Sequence, residues 1–359
     1  MRITITPRRE TYREKWVRDD FEDCARGIGI VLVVYGHVLI GLMNADLVPA
    51  HHWLISTDSA IYTFHMPLFF MLSGLHVERG LSRGRQGFLS SKLQSIVYPY
   101  FLWSVIQGLV QLMMSANANH RFYPSDMLDI FWNPIGQFWF LYALFLCQIF
   151  VCVTTTQRLR LVFIAIVAYF IGIALDANIL TIALKFFLFF AAGILLAGNL
   201  RSIVTRFATL RGVGVTFIAF CVAIYLAHGL GNTGTDWALP ETALGLRTLP
   251  AALLGILLVC EIALLISQSG KGAVLRVLGL ASMPIYLAHI LAGSGARIAL
   301  LHIHVENVYL HLLVGVACGI AFPLALYFVA GRLRLEKYLG FPRARGVTFQ
   351  PARVADALN

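Results

Sequence analysis

Charge is what this chain of 359 residues has least of. Lys, Arg, Asp and Glu make up 13% of it, against about 25% in a soluble domain. That deficit argues against an ordinary soluble globular domain. The sequence has no GxxxxGK[ST] phosphate loop and no HExxH pair, so the common signatures of nucleotide hydrolysis and zinc proteolysis are missing. Its six cysteines, at 24, 147, 152, 221, 260 and 318, form no CxxC pair and no metal-ligand spacing. They read as small apolar residues rather than disulfides or ligands. The first twenty or so residues lack a short apolar segment followed by a small-residue cleavage site, so no removable signal peptide is expected. The net charge of +10 would suit a nucleic-acid binder. Here, however, the basic residues fall in short loops between apolar runs, with no patch interleaved with aromatics, so nucleic acid is not an expected partner.

What the sequence does have is apolar length. Hydrophobic residues are 58% of the chain and the mean hydropathy is +0.76. Ten apolar runs cover about 27–42, 61–77, 93–114, 136–155, 161–175, 179–197, 213–228, 249–267, 278–300 and 310–329. Each is near the ~20 residues needed to cross a bilayer. The expected fold is all-α: a polytopic integral membrane protein with about ten transmembrane helices. If the loops alternate sides from an inside N-terminus, the inside segments hold 24 of the 28 Lys and Arg residues. Arg121, Arg247 and Arg297 fall outside, and Lys185 lies within a run. That asymmetry predicts N-in and C-in. The domain reading is a cytoplasmic arm (1–26), a membrane domain (27–330) and a cytoplasmic basic tail (331–359). Both the arm and the tail are too short to bury a core.

The first run carries the sharpest candidate residues. Arg26 and His37 are eleven positions apart. Eleven steps of roughly 100° return to within about 20°, so both lie on one helix face, about 16 Å apart along the axis. Arg26 then sits at the mouth of the helix and His37 near mid-bilayer, where a histidine needs a partner or a use. His37 reads as a general base for a hydroxyl attacking an activated carbonyl, or as an interhelical hydrogen-bond link. Arg26 reads as an anion-binding group or an inside anchor. His65 precedes Met66-Pro67 in the second run. Tyr286 and His289, three apart, share a face of the ninth. Trp139 opens the fourth and also fits an aromatic belt. Lys185 and Glu261 are intramembrane charges that could pair with each other. The cluster His302, His304 and Glu306 resembles metal spacing but reads as a solvated loop, and no metal site is expected.

Several stretches together resemble the membrane-bound acyltransferase 3 family, nearest its fucose 4-O-acetylase-like group of bacterial sugar O-acetyltransferases. They are Arg26-x10-His37, Phe64-His65-Met66-Pro67-Leu68-Phe69-Phe70-Met71-Leu72-Ser73-Gly74, the basic stretch from Arg79 to Tyr98-Pro99, Trp139-Phe140-Leu141, and Tyr286-Leu287-Ala288-His289. The resemblance covers about residues 20–330. It implies transfer of an acyl group, usually acetyl, from cytoplasmic acetyl-CoA to a sugar hydroxyl of an exopolysaccharide, lipopolysaccharide or lipid-linked glycan. It also implies His37 as base, and Arg26, Arg83, Arg85 and Lys92 as contacts of the CoA phosphates. His65, Trp139, Tyr286 and His289 are the substrate-binding candidates. Its setting would be the bacterial inner membrane. The expected partners are acyl-CoA, the glycan acceptor and the lipid bilayer, with polysaccharide-assembly proteins as candidate contacts. No hydrolase-like domain follows residue 330, as it does in some relatives.

Two other readings fit the same sequence: succinyl or other acyl transfer to a periplasmic glucan, and a polysaccharide-related transporter without chemistry. No inverted repeat, which a secondary transporter would often show, is visible.

Overall fold

A computed structural model describes residues 20–49, 52–114, 123–154, 156–229 and 244–343. Most of the N-terminal arm, the end of the basic tail, Arg121 and most of the 229–247 loop lie outside the described residues. Among the described residues every regular element is helical. The α-helices are α1 (Asp20–Met43), α2 (Trp53–Tyr62), α3 (His65–Gly74), α4 (Val77–Leu81), α5 (Arg85–Lys92), α6 (Tyr98–Met114), α7 (Trp139–Val153), α8 (Arg158–Ala174), α9 (Ile179–Leu196), α10 (Leu200–Thr205), α11 (Leu210–Gly229), α12 (Leu249–Gln268), α13 (Ala273–Leu280), α14 (Ser282–His302) and α15 (Val308–Leu333).

Nine of the described helical segments are long and apolar enough to cross a membrane. The fifth apolar run became α8, whose 17 residues reach about 26 Å at 1.5 Å per residue, slightly short of a ~30 Å hydrocarbon core.

The first two runs differ from expectation in informative ways. Helix α1 is already helical at Asp20, one to two turns before the expected start. Asp20, Glu22 and Asp23 occupy its first turn, where carboxylates complement the positive end of the helix dipole. The loop expected over residues 43–60 contains α2. Asp46, Pro49, His51, His52 and Asp58 suggest a loop, but in the structure Thr57, Ser59 and Thr63 donate their hydroxyls to the carbonyls of Leu54, Ile55 and Ala60. Back-bonding of this kind lets polar residues lie within a helix. The chain then breaks at Thr63-Phe64 and restarts as α3. Pro67 falls in the first turn of α3, where a missing N–H costs nothing. Between α5 and α6, residues Leu93–Val97 form a π-helical turn just before Pro99.

Helix α1 is the hub and packs against α2, α3, α12, α13, α14 and α15. Lipid chains are as apolar as leucine, so burial of apolar surface does not itself drive such packing. Close approach through small residues does. A Cβ on Gly27 would strike the Leu275 carbonyl oxygen, and one on Gly279 would strike the Asp23 carbonyl oxygen. This reciprocal contact of α1 with α13 fixes the end of α1 that carries Asp23 and Arg26. Deeper in the bundle, Phe70, Phe140 and Phe186 stack and meet edge to face at ring separations of 4.6 and 5.1 Å. The intramembrane Glu261 accepts a hydrogen bond from Thr216 across the α11–α12 contact at 3.0 Å. The Lys185 stem lies against α8 at Gly172.

Replacing Gly279 by Val should lower the thermal unfolding midpoint of the detergent-solubilised protein, at a cost of about 1–3 kcal/mol for overpacking. Melting followed by size-exclusion chromatography checks this. A midpoint equal to wild type would show that α1 and α13 separate without penalty.

Candidate active site

Three residues of α1, Arg26, Ile30 and Val33, recur at helical spacing on one face and line a cavity of about 850 Å3. His37 lies one further turn along the same face. The rim of the cavity is polar and basic, with exposed Lys337, Arg343, His76, Gln94 and Ser95 and half-buried Lys92. The buried wall is mostly apolar, with Met66, Phe140, Leu141, Leu144 and Tyr286, and also carries Gln148. The π-helical turn before α6 contributes Gln94 and Ser95 to the rim and Ile96 to the wall. Such a cavity suits a ligand with an anionic head and a long, largely uncharged arm.

Arg26 is not a free cation. Its guanidinium lies 3.4 Å from Glu22 and 3.3 Å from Asp23, and donates to His76 Nε2 at 2.8 Å. The same His76 nitrogen is 2.9 Å from a Glu22 oxygen. One nitrogen cannot accept from Arg26 and donate to Glu22 at once. With Nε2 bare His76 accepts from Arg26, and with a proton on Nε2 it donates to Glu22. With Arg26 neutralised by two carboxylates, the net positive charge of the rim rests on Lys92, Lys337 and Arg343. Lys92 also sits 5.1 Å from the centre of the Phe88 ring.

Three histidines meet deeper in the bundle. His37 Nδ1 lies 2.9 Å from the Val33 carbonyl, His65 Nδ1 lies 2.8 Å from that of Ile61, and His289 Nδ1 lies 2.8 Å from that of Tyr286. A carbonyl oxygen only accepts, so each Nδ1 carries the proton and each neutral ring turns its Nε2 lone pair outward. The His37 and His289 rings are 4.9 Å apart at 71°. Tyr62 bridges the third, with its ring 6.3 Å from His37 and 4.6 Å from His65. The Nε2 atoms of His65 and His289 are buried without a hydrogen-bond partner among the described residues, and so is Asp58 Oδ1. Gly36 lets this group close up, because a Cβ there would stand 2.9 Å from Tyr62 and 3.3 Å from Asp58 Oδ1.

On its far side His37 borders a second space, a crevice of about 20 Å3 shared with His289, Gly41, Gly293, Ser294 and Arg297. Arg297 closes it by donating to the Gly41 carbonyl. Tyr286 lines the large cavity and His289, one turn on, lines the crevice. The His37–His289 pair thus lines the small crevice, one helical turn beyond the residues of α1 and α14 that line the large, basic-rimmed cavity.

The structure brings Arg26, Lys92 and Tyr286 to the large cavity and His37 and His289 to the crevice; His65 lines neither and joins the histidine group through Tyr62. The Tyr286 hydroxyl is committed, since it donates to the Gln137 carbonyl, and Gln137 is itself held by a reciprocal amide pair with Gln107. Trp139 packs against Phe140 and Phe186 and does not line the cavity; its neighbours Phe140 and Leu141 do. Arg83, in the turn before α5, and Arg85, its first residue, are exposed and do not line it either. Sequence reasoning missed Lys337, Arg343, Gln148 and Tyr62. The first two come from the tail and have no local signal. The Asp58–Tyr62 spacing of one helical turn could have been seen. His302, His304 and Glu306 are exposed at the α14–α15 turn. Among the described residues no three His, Cys, Asp or Glu side chains are grouped to hold a metal ion.

Comparison with known proteins agrees with this architecture. The profile of the acyltransferase 3 family, described as an acyltransferase domain, matches residues 20–329. Nodulation protein NolL of Mesorhizobium japonicum is 29% identical over 210 residues, which is 56% of this chain and 55% of that protein. Nodulation protein NolL of Sinorhizobium fredii is 30% identical over 131 residues, 35% of this chain and 34% of that protein. The matched stretches therefore span about half and about a third of the lengths of these two relatives. No solved structure matches significantly. A profile match that runs unbroken from the acidic first turn of α1 to the last turns of α15 leaves one assignment: the chain belongs to the acyltransferase 3 family.

Proposed function

We propose that the protein moves an acetyl group from cytoplasmic acetyl-CoA to a sugar hydroxyl of a bacterial surface polysaccharide, lipopolysaccharide or lipid-linked glycan, with His37 as general base. The observation that carries this reading is the position of His37, one turn beyond a basic-rimmed, apolar-walled cavity, with Nδ1 tied to Val33 and Nε2 turned outward. The CoA phosphates meet Lys92, Lys337 and Arg343 at the rim, and the uncharged arm runs inward along α1. Arg26, held by Glu22 and Asp23, orders the rim and offers its remaining N–H groups to the donor. Arg83 and Arg85 act from outside the cavity wall, as part of the positive field at its entrance. His65 and Tyr286 shape the walls of the substrate site, and Trp139 backs Phe140.

The reaction then balances simply. The acceptor hydroxyl gives its proton to His37 Nε2 as its oxygen bonds the acyl carbon. The carbon–sulfur bond breaks, and the departing CoA thiolate takes the proton back from His37. The distribution of Lys and Arg supports ten spans with both termini inside, α8 included, and a setting in the inner membrane. On that topology the basic rim faces the cytoplasm, where acetyl-CoA is found, and the crevice beyond His37 faces the other way. The names of the NolL relatives, nodulation proteins, are compatible with modification of a surface or secreted glycan, and polysaccharide-assembly proteins are natural neighbours for such an enzyme.

Three outcomes test this reading. His37→Ala should lower acetyl transfer by about 10²–10⁴-fold, the range of general-base catalysis, with expression and insertion unchanged. Proton NMR of surface glycan before and after mild base, from cells carrying wild type, the variant or no gene, reads this directly; equal ester content in all three would dismiss the enzyme role. Lys92→Ala should raise the acetyl-CoA KM about tenfold, equivalent to ~1.4 kcal/mol of a charged contact, and leave kcat nearly unchanged. An unaltered KM would move the phosphates elsewhere. Arg26→Ala should weaken activity several-fold and Arg26→Lys should retain part of it, both read in a CoA-release assay. Wild-type turnover by Arg26→Ala would remove Arg26 from the donor site.

A further inference from the structure

The crevice beyond His37 has a property that general-base catalysis alone does not require. It is lined by two imidazoles, His37 and His289, and both have spent their only N–H on a backbone carbonyl. Each is left with an Nε2 that accepts and does not donate. His289 is 1% exposed, and its Nε2 has no partner among the described residues. A buried acceptor of this kind costs about 1–3 kcal/mol until a donor reaches it. A single hydroxyl has one proton and can satisfy only one of the two nitrogens. The other nitrogen calls for a second donor close to the first, because the rings are only 4.9 Å apart and an O–H donor sits ~2.8 Å from its acceptor. A metal ion would use the same lone pairs, but the His, Cys, Asp and Glu side chains among the described residues are not grouped to hold one.

We propose that His289 is a specificity-determining residue of the acceptor subsite: it accepts a hydrogen bond from the hydroxyl adjacent to the one that His37 deprotonates, so that the acceptor must present two neighbouring free hydroxyls. The proposal rests on His37 acting as the general base. The crevice, at about 20 Å3, holds roughly one water. It therefore admits one hydroxyl oxygen at the edge of a sugar ring, with the adjacent hydroxyl at its mouth and the ring outside. The second hydroxyl keeps its proton throughout; it is bound and not acylated. Its role is to fix which ring position lies against His37. Sites built to hydrogen-bond a substrate hydroxyl discriminate strongly against analogues that lack it, because the site's own polar group is then left unpaired.

The test uses full-length protein in proteoliposomes, acetyl-CoA, and surface glycan prepared from cells lacking the gene. The readouts are CoA release, the KM for each substrate and the ester positions by NMR. The wild-type ester should sit on a sugar whose adjacent carbon carries a free hydroxyl. His289→Phe should raise the KM for glycan about tenfold or more, leave the KM for acetyl-CoA unchanged, and spread the ester over neighbouring positions. His289→Gln supplies an acceptor oxygen and should recover part of the glycan affinity. If His289→Phe does not fold, the ester position and KM of His289→Gln decide alone. A wild-type ester with no free neighbouring hydroxyl would overturn the proposal. So would a His289→Phe enzyme, or where that does not fold a His289→Gln enzyme, with an unaltered glycan KM and a single ester position. Glycan that gains no ester from the wild type would remove the acyltransfer reading and this proposal together. Ester formation that is insensitive to His289 removes this proposal only.

Discussion

A hydrogen bond from imidazole Nδ1 back to the carbonyl four residues earlier in the chain sets the character of the site. It recurs at His37, His65 and His289. Inside a bilayer there is no bulk water to satisfy a polar group, so each must find its partner within the protein. The local carbonyl is always at hand, and taking it fixes the tautomer. Once Nδ1–H is spent, every ring must present Nε2 as a lone pair. Three helices each contribute such a ring, and Tyr62 spaces them. The imidazoles therefore offer acceptors only, and the side-chain donors that border the crevice are Ser294 and Arg297.

The surrounding bundle holds these rings where two spaces approach each other. Small residues let α1 sit against α13 and α2, and the break between α2 and α3 turns His65 inward at the start of a new helix. The large cavity reaches Val33 and Tyr286, and the crevice begins one turn on, at His37 and His289. On the proposed reading, that arrangement lets donor and acceptor approach one base by separate paths and keeps the charged head of the donor at the solvent edge, because a buried charge is costly.

Arg26 illustrates how an ion pair in such a place works. Its two carboxylate partners are only three and four residues away on α1, so the network is preassembled by helix geometry. That leaves the guanidinium oriented and electrically balanced before any ligand arrives. The unbalanced positive charge comes instead from α5 and from the segment after α15, which converge on the rim in space and not in sequence.

The sequence alone determined the helical class, the approximate spans and the shared face of Arg26 and His37, because these depend on local periodicity and on the energy of placing side chains in lipid. It also paired Tyr286 with His289 by helical spacing. It did not reveal that residues 53–60 are helical, because a polar stretch whose hydroxyls satisfy themselves by back-bonding carries no apolar helical signal. Nor did it separate Lys92, which lines the cavity, from Arg83 and Arg85, which do not. Only the tertiary structure decided that His37, His65 and His289 meet, that Lys337 and Arg343 return to the rim, and that Trp139 belongs to the packing instead. Those facts depend on how helices far apart in the chain cross, and the crossings are set by close backbone contacts whose partners no local pattern names.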